Sequence, residues 1–167
     1  MRVDQTRHFT YLALLSAMAI ALNLFETMMI PPLFGVFRIG LANIIALVTL
    51  KILGVKDMVI VNLMRVIIGN LLSGRIFGST FWISCGGVFI STVILILMDK
   101  MKSSMMFSSV CSSIGHSTGQ VLVVMAFYMQ PLIATILPYF LALSIPTGLL
   151  TGFVAKVTSD RIKPLKN

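Results

Sequence analysis

The sequence predicts an all-α integral membrane protein, a bundle of six transmembrane helices. Two observations predict it: 57% of the 167 residues are hydrophobic, with a mean hydropathy of +1.01, and only 11% are charged. Soluble domains carry roughly 25% charged residues, and a soluble fold of this size could not bury so much apolar surface. We therefore expect a single membrane domain over residues 1–167, with lipid as the solvent for most of its surface.

The six helices follow from the apolar runs. A helix needs about 20 residues to cross the hydrocarbon core, and fewer where protein surrounds it. The predicted limits are approximately 11–30, 37–53, 58–72, 81–98, 107–128 and 133–157. Pro31 and Pro32 are expected to end the first helix, because proline lacks an amide donor and restricts the residue before it. The loop 54–57 is short, so the second and third helices are expected to form a hairpin.

The charge pattern predicts the topology. Thirteen Lys and Arg residues against five Asp and Glu give a net charge of +8, and the basic residues stand mostly between and outside the apolar runs. That is typical of topology signals and not of a nucleic-acid interface. With the N-terminus inside, ten basic residues fall on the cytoplasmic side: Arg2, Arg7, Lys51, Lys56, Lys100, Lys102, Lys156, Arg161, Lys163 and Lys166. We therefore predict a multi-pass plasma-membrane protein with both termini in the cytoplasm.

Polar side chains within the apolar helices predict a binding site near the outer side. An ionisable side chain inside a membrane helix costs roughly 2.5 to 3.5 kcal/mol, so it usually faces a cavity or a partner. The predicted substrate-binding residues are Glu26, Arg38, Asn43, Arg65, Asn70, His116 and Gln120. Together with Arg75, the arginines Arg38 and Arg65 make three positive charges on the outer side. Only Glu26 opposes them, and an anionic ligand would offset the excess positive charge. The alternative is that Glu26 and an arginine neutralise each other, and that His116 is a hydrogen-bonded packing residue.

Spacing groups some of these residues. Asn23 and Glu26 are three positions apart and His116 and Gln120 are four apart, so each pair is expected to share one helix face. Asn62 lies three positions before Arg65 and is expected to face with it.

The sequence contains no motif that indicates catalysis. Two acids never lie within five positions of each other, so an aspartate-rich motif that would hold magnesium on a diphosphate is missing, and so is a GxxxxGK phosphate-binding loop. His116 has no second ligand at metal-binding spacing, and Cys85 and Cys111 are interpreted as small buried hydrophobic residues. We expect a protein that is not an enzyme, with no metal and no cofactor.

Small residues mark the expected helix contacts. Ala13, Ala17 and Ala21 recur every four residues and form a smooth stripe on the first helix. The pairs Gly115 with Gly119 and Gly148 with Gly152 are expected to serve packing within the bundle.

Five stretches of the sequence resemble the membrane family called Gx transporters, also labelled heptaprenyl diphosphate synthase component I. They are Glu26 with Pro31-Pro32, Arg38–Asn43, Arg65 with Gly69-Asn70-Leu71, Ser84–Ser91, and His116–Gln120. The GLAN and HxxGQ stretches are the most specific. Arg38 departs from the lysine expected there and keeps the charge.

This family is similar in turn to the S components of energy-coupling factor (ECF) vitamin transporters. The resemblance implies a six-helix protein that captures a small solute from outside. It also implies that Ala13, Ala17 and Ala21 dock on a transmembrane coupling subunit, which two ATPases drive.

Two functions follow as hypotheses, beside a third possibility that the chain is a helical bundle whose polar contacts are only structural. The first is a substrate-binding S component for a small, anionic, vitamin-like or isoprenoid- or flavin-related solute. The second is a non-catalytic membrane accessory subunit of polyprenyl diphosphate or quinone biosynthesis, in line with the other family label.

Overall fold

The computed structural model describes residues 2–29 and 40–162. These ranges contain six α-helices and one 3-10 helix. Their bounds are α1 Arg2–Met29, α2 Ala42–Ile52, α3 Val55–Leu72, α4 Ser79–Lys100, α5 Met105–Tyr128, the 3-10 helix Pro131–Ile136, and α6 Leu137–Asp160. The predicted all-α membrane bundle is confirmed.

The first helix starts earlier than predicted. It begins at Arg2 and not near residue 11, because the apolar run marks where lipid begins and not where the helix begins. Residues 2–29 contain neither glycine nor proline, so nothing interrupts the helix in its polar first turns. The predicted end at Pro31-Pro32 and the predicted start of the second helix near residue 37 lie outside the described residues.

The last helix starts later than predicted. Residues 131–136 form a 3-10 helix, and α6 begins at Leu137 and not near residue 133. Pro138 occupies the first turn of α6, where a missing amide donor costs nothing.

The predicted α2–α3 hairpin is confirmed, with a turn even tighter than expected. Only Leu53 and Gly54 separate the two helices, and their amides both donate to the carbonyl of Thr49, at 2.8 and 3.1 Å. Gly54 has a φ of 107°, which a side chain would disfavour. This turn brings the start of α3 back beside the end of α2.

The bundle is built around α2, of whose 11 residues nine are buried. Glycines let the later helices approach closely: a Cβ on Gly119 would lie 2.4 Å from the carbonyl oxygen of Gly86 in α4. A Cβ on Gly148 would lie 2.8 Å from Cα of Val110 in α5. The two GxxxG pairs therefore serve internal packing, as predicted.

Within residues 2–29 and 40–162, four helical stretches are long and apolar enough to cross a membrane: Gln5–Met28, Ser79–Lys100, Met105–Tyr128 and Pro131–Asp160. Helix α2 is too short to span alone, at about 16 Å for 11 residues. Helix α3 has 18 residues and includes Lys56, Asp57 and Arg65. Six crossings therefore stay a prediction.

Two contacts orient the hairpin against α1. His8 Nε2 lies 3.0 Å from Asp57 Oδ2 near one end of α1, whereas Glu26 near the other end meets Gly40 and Leu41, just before α2. Helix α2 therefore runs antiparallel to α1. We call the end with His8 and Asp57 the basic end, and the end with Glu26 the polar end.

Candidate functional site

A small cavity lies at the polar end, where five helices meet. Its volume is about 20 Å³, enough for roughly one water molecule. Its lining residues are Asn23, Glu26, Gly40, Ala42, Asn43, Arg65, Ser84, Val88 and His116. We call these nine residues the polar cluster. Four of the seven residues predicted to bind substrate therefore meet around one cavity.

Arg65 is the deepest charged side chain of the cluster, with 2% of its surface exposed. Its Nη2 donates a hydrogen bond of 2.8 Å to Oδ1 of Asn43, which is itself 3% exposed. This bond joins α3 to the central helix α2. A guanidinium taken so far from water is retained only where polar groups surround it, because burying an ion without them costs several kcal/mol.

Glu26 attaches α1 to the start of α2. Its carboxylate accepts hydrogen bonds from the amides of Gly40 at 2.5 Å and Leu41 at 3.2 Å. Gly40 has a φ of 81°, in the left-handed region that favours glycine. Glu26 is therefore a helix-joining group as well as a wall of the cavity.

His116 and Gln120 lie on one face of α5, as their spacing predicted, and both pack against Gly87 of α4. A Cβ on Gly87 would lie 2.9 Å from Cε1 of His116 and 2.9 Å from Cγ of Gln120. Gln120 is fully buried, and neither its Nε2 nor its Oε1 has a hydrogen-bond partner within the described ranges. A buried amide with both atoms unsatisfied is costly, so Gln120 is a candidate for hydrogen bonding to a bound molecule.

Other predicted residues fall outside the cavity lining. Asn70 is buried, and its Nδ2 donates to the carbonyl of Val66 at 2.7 Å within its own helix. Arg38 lies outside the described residues. Asn62, expected to face with Arg65, lines a different cavity and donates from Nδ2 to Oγ1 of Thr92 at 2.8 Å.

Sequence reasoning did not select Ser84 and Val88, which line the cavity from α4. They lie four positions apart on the face that also carries Gly87, so helical spacing around that glycine was the available signal. Ser84 Oγ donates to the carbonyl of Thr80 at 2.8 Å, which leaves its oxygen lone pairs as acceptors.

A larger apolar groove lies between α3 and α4, on the outer surface of the bundle. Its volume is about 530 Å³. The groove is lined by Val59, Asn62, Leu63, Val66, Ile67, Phe81, Cys85, Val88, Phe89, Thr92, Val93 and Ile96. We call it the α3–α4 groove. Oδ1 of Asn62 is buried beside it and has no hydrogen-bond partner among the described residues.

The alanine stripe lies on the outside of the bundle. Ala13, Ala17 and Ala21 are all exposed, whereas Leu15 and Ala19 on the other side of α1 are buried. Exposed Leu14 and Met18 flank the stripe, with 56% and 45% of their surfaces accessible. This face is smooth and apolar, and within the described residues it carries no other helix of the bundle.

The described part of the chain holds no group of three His, Cys, Asp or Glu side chains that could bind a metal. The arrangement instead offers hydrogen-bond donors and acceptors in an enclosed space.

These features define a polytopic α-helical membrane protein with a buried polar cluster at one end. The chain belongs to the family described as heptaprenyl diphosphate synthase component I, whose family model matches residues 15–158. The resemblance to the Gx transporter family, the other label of this family, is thereby confirmed. Curated proteins and solved structures gave no significant match.

Proposed function

We propose that this protein is the substrate-binding S component of an ECF-type uptake transporter, and that its polar cluster captures a small anionic solute from outside the cell. The observation that supports it most is the enclosed set of Arg65, Asn43, Glu26 and His116 around one cavity, with the unsatisfied amide of Gln120 beside it. Arg65 would meet the anionic part of the solute, and His116 and Gln120 would hydrogen-bond its ring or head group.

Substrate capture in this scheme requires the bundle to open. Sites for vitamin-sized ligands enclose about 300 to 1,000 Å³, whereas the cavity in this structure holds roughly one water. The hydrogen bonds from Gly40 and Leu41 to Glu26 are the contacts that opening between α1 and α2 would break. The solute would then replace these bonds with its own.

The capture proposal is tested on the purified protein by identifying its co-purified small molecule with mass spectrometry. We expect Arg65→Ala and His116→Ala to lower ligand occupancy at least about tenfold, since each removes a charge-assisted or neutral hydrogen bond inside the site. Exposed Arg75→Ala is the matched control and should keep its ligand. Unchanged occupancy in both site variants would contradict the proposal.

Gln120→Met gives a second measurement that does not depend on a destabilised variant. It replaces two unsatisfied buried polar atoms with an apolar chain of similar length, so the free energy of unfolding should rise by about 1 kcal/mol while ligand occupancy falls. Asn70→Leu is the control, because it removes a satisfied hydrogen bond and should lower stability. A Gln120→Met protein that keeps full occupancy would show that the amide does not touch the solute.

We also propose that the exposed alanine stripe docks on the transmembrane coupling subunit, which two ATPases drive. A small-residue stripe lets a partner helix approach closely, and a bulky side chain prevents that approach. Ala17→Trp should therefore abolish co-purification of the coupling subunit. Ala126→Trp changes an exposed alanine on α5 in the same way and should leave the complex intact.

The second candidate function is a non-catalytic membrane accessory subunit of polyprenyl diphosphate synthesis. The α3–α4 groove favours it, because an apolar groove of about 530 Å³ open to lipid suits a long isoprenoid chain. A pull-down of the tagged protein from its own cells separates the two functions. A coupling subunit with ATPases supports transport, and a soluble prenyl synthase supports the accessory role.

A further inference from the structure

A third cavity lies at the basic end, away from the polar cluster. Its volume is about 460 Å³, and the end of α2, the end of α4 and the start of α5 form its walls. Its lining residues are Leu47, Leu50, Lys51, Asp99, Lys102, Ser103, Met105 and Ser108. We call it the basic-end cleft. It shares no lining residue with the polar cluster or with the α3–α4 groove.

Two lysines and one aspartate give the cleft a net positive charge. The tight α4–α5 turn positions Asp99 and Lys102. The amide of Lys102 donates to the carbonyl of Asp99 at 3.1 Å, and the amide of Ser103 donates to the carbonyl of Met98 at 3.1 Å. Lys51 reaches the same cleft from the end of α2, and both lysines are exposed. An anionic group can therefore approach both ammonium groups without first displacing a buried partner.

The start of α5 adds to this potential. Helix α5 begins at Met105 on the cleft wall, and Ser104 caps it by accepting a hydrogen bond from the amide of Phe107 at 3.3 Å. The positive end of the helix dipole therefore lies at the cleft. The described charged side chains near this end also carry a net positive charge, with seven basic and three acidic residues. The basic residues are Arg7, Lys51, Lys56, Lys100, Lys102, Lys156 and Arg161, and the acidic residues are Asp57, Asp99 and Asp160.

The other walls of the cleft are apolar. Leu47 and Leu50 are buried in the core of the bundle, and Met105 packs against that core from α5. The cleft therefore lies where the apolar helices give way to lysines, at the boundary between hydrocarbon and water. A ligand that fits both parts carries an anionic group, such as a phosphate, and an apolar body.

We propose that the basic-end cleft binds the phosphate headgroup of an anionic phospholipid. Lys51 and Lys102 contact the phosphate, the start of α5 supports its charge, and the leucine wall takes the first part of an acyl chain. Basic pockets between membrane helices are suited to such headgroups, and each basic residue contributes on the order of 1 kcal/mol. A soluble diphosphate shares the phosphate chemistry but leaves the apolar wall in water.

The test uses the full-length protein, delipidated in detergent and titrated with phosphatidylglycerol or phosphatidylcholine under native mass spectrometry. We expect one phosphatidylglycerol to bind in preference to phosphatidylcholine. The double variant Lys51→Ala/Lys102→Ala should weaken this binding about tenfold or more, since two charge contacts are lost. The matched double variant Lys56→Ala/Lys100→Ala removes the same charge from exposed positions outside the cleft and should bind as the unmodified protein does.

Two outcomes would overturn the proposal. Equal weakening in the two double variants would mean that the lipid responds to the charge of the whole basic end and not to the cleft. Inorganic diphosphate that binds through Lys51 and Lys102 and displaces phosphatidylglycerol would assign the cleft to a soluble ion. The proposal is independent of the proposed function, because ligand occupancy at the polar cluster is measured separately and neither lysine touches it.

Discussion

At the scale of single residues, Arg65 is the most deeply buried charged side chain among the described residues, so the free-energy cost of burying its charge must be offset by hydrogen bonds. It is 2% exposed, and its bond to Asn43 is a charge-assisted hydrogen bond inside the protein. Asn43→Ala should therefore lower the free energy of unfolding by about 2 kcal/mol, since it removes one hydrogen-bond acceptor of Arg65 while the charge stays buried. Thermal unfolding in detergent measures this. Exposed Arg75→Ala should change stability little, and an equal loss there would contradict the explanation.

The polar residues of the site could be predicted individually because each is unusual in an apolar helix. Glu26, Asn43, Arg65 and His116 were selected in this way, and the structure brings them around one cavity. Their role in binding stays a prediction. Asn70 met the same criterion but bonds to Val66 within its own helix, since an asparagine side chain can satisfy itself locally. Sequence does not distinguish these two fates.

At the scale of helices, Glu26 is predicted to control the attachment of α1 to α2. Glu26→Ala removes the acceptor of the amides of Gly40 and Leu41, so these amides should exchange hydrogen faster by about tenfold, which corresponds to a loss of roughly 1.4 kcal/mol. Hydrogen exchange followed by mass spectrometry measures this. The amides of Leu53 and Gly54, bonded to Thr49, serve as internal controls. Faster exchange at both places would indicate general destabilisation instead.

The space around two glycines predicts opposite effects of Gly→Ala changes, at Gly119 where α5 meets α4 and at Gly69 where α3 meets α1. Gly119→Ala would place a Cβ 2.4 Å from a backbone oxygen of Gly86, so it should cost about 2 kcal/mol in unfolding free energy. Gly69→Ala would place its Cβ 3.6 Å from Asn23, an ordinary contact, so the higher helix propensity of alanine should stabilise by about 1 kcal/mol. Thermal melting of both variants measures the difference, and a stable Gly119→Ala protein would contradict this packing.

The sequence predicted which helices exist better than which residues face one another. Apolar runs located all six helices, because a helix in lipid must be apolar. They did not locate where α1 and α6 begin, because the first turns of α1 are polar and the 3-10 helix before α6 continues the apolar run of α6. Ser84 and Val88 were missed because their place in the cavity depends on how closely α4 approaches α5. That distance is set by Gly86 meeting Gly119, a contact between helices that one-dimensional spacing does not reveal.

At the scale of the whole molecule, the open structural question is whether the α2–α3 hairpin crosses the membrane. Four crossings by the long helices and six crossings with the hairpin both leave the two termini on the same side. Locating the termini therefore cannot separate these topologies. The position that does separate them is the turn between α2 and α3, which lies inside only if the hairpin crosses.

The contact between His8 and Asp57 predicts that the hairpin crosses. It brings the α2–α3 turn beside the first turns of α1, which the pattern of basic residues predicts to be cytoplasmic. In intact cells of a variant without Cys85 and Cys111, an impermeant maleimide should label Ser73→Cys and Gln130→Cys but not Lys56→Cys or Lys102→Cys. Labelling at Lys56→Cys with Lys102→Cys protected would leave only four crossings. The basic-end cleft could not form in that topology, because Lys51 and Lys102 line the same cavity and must lie on one side of the membrane.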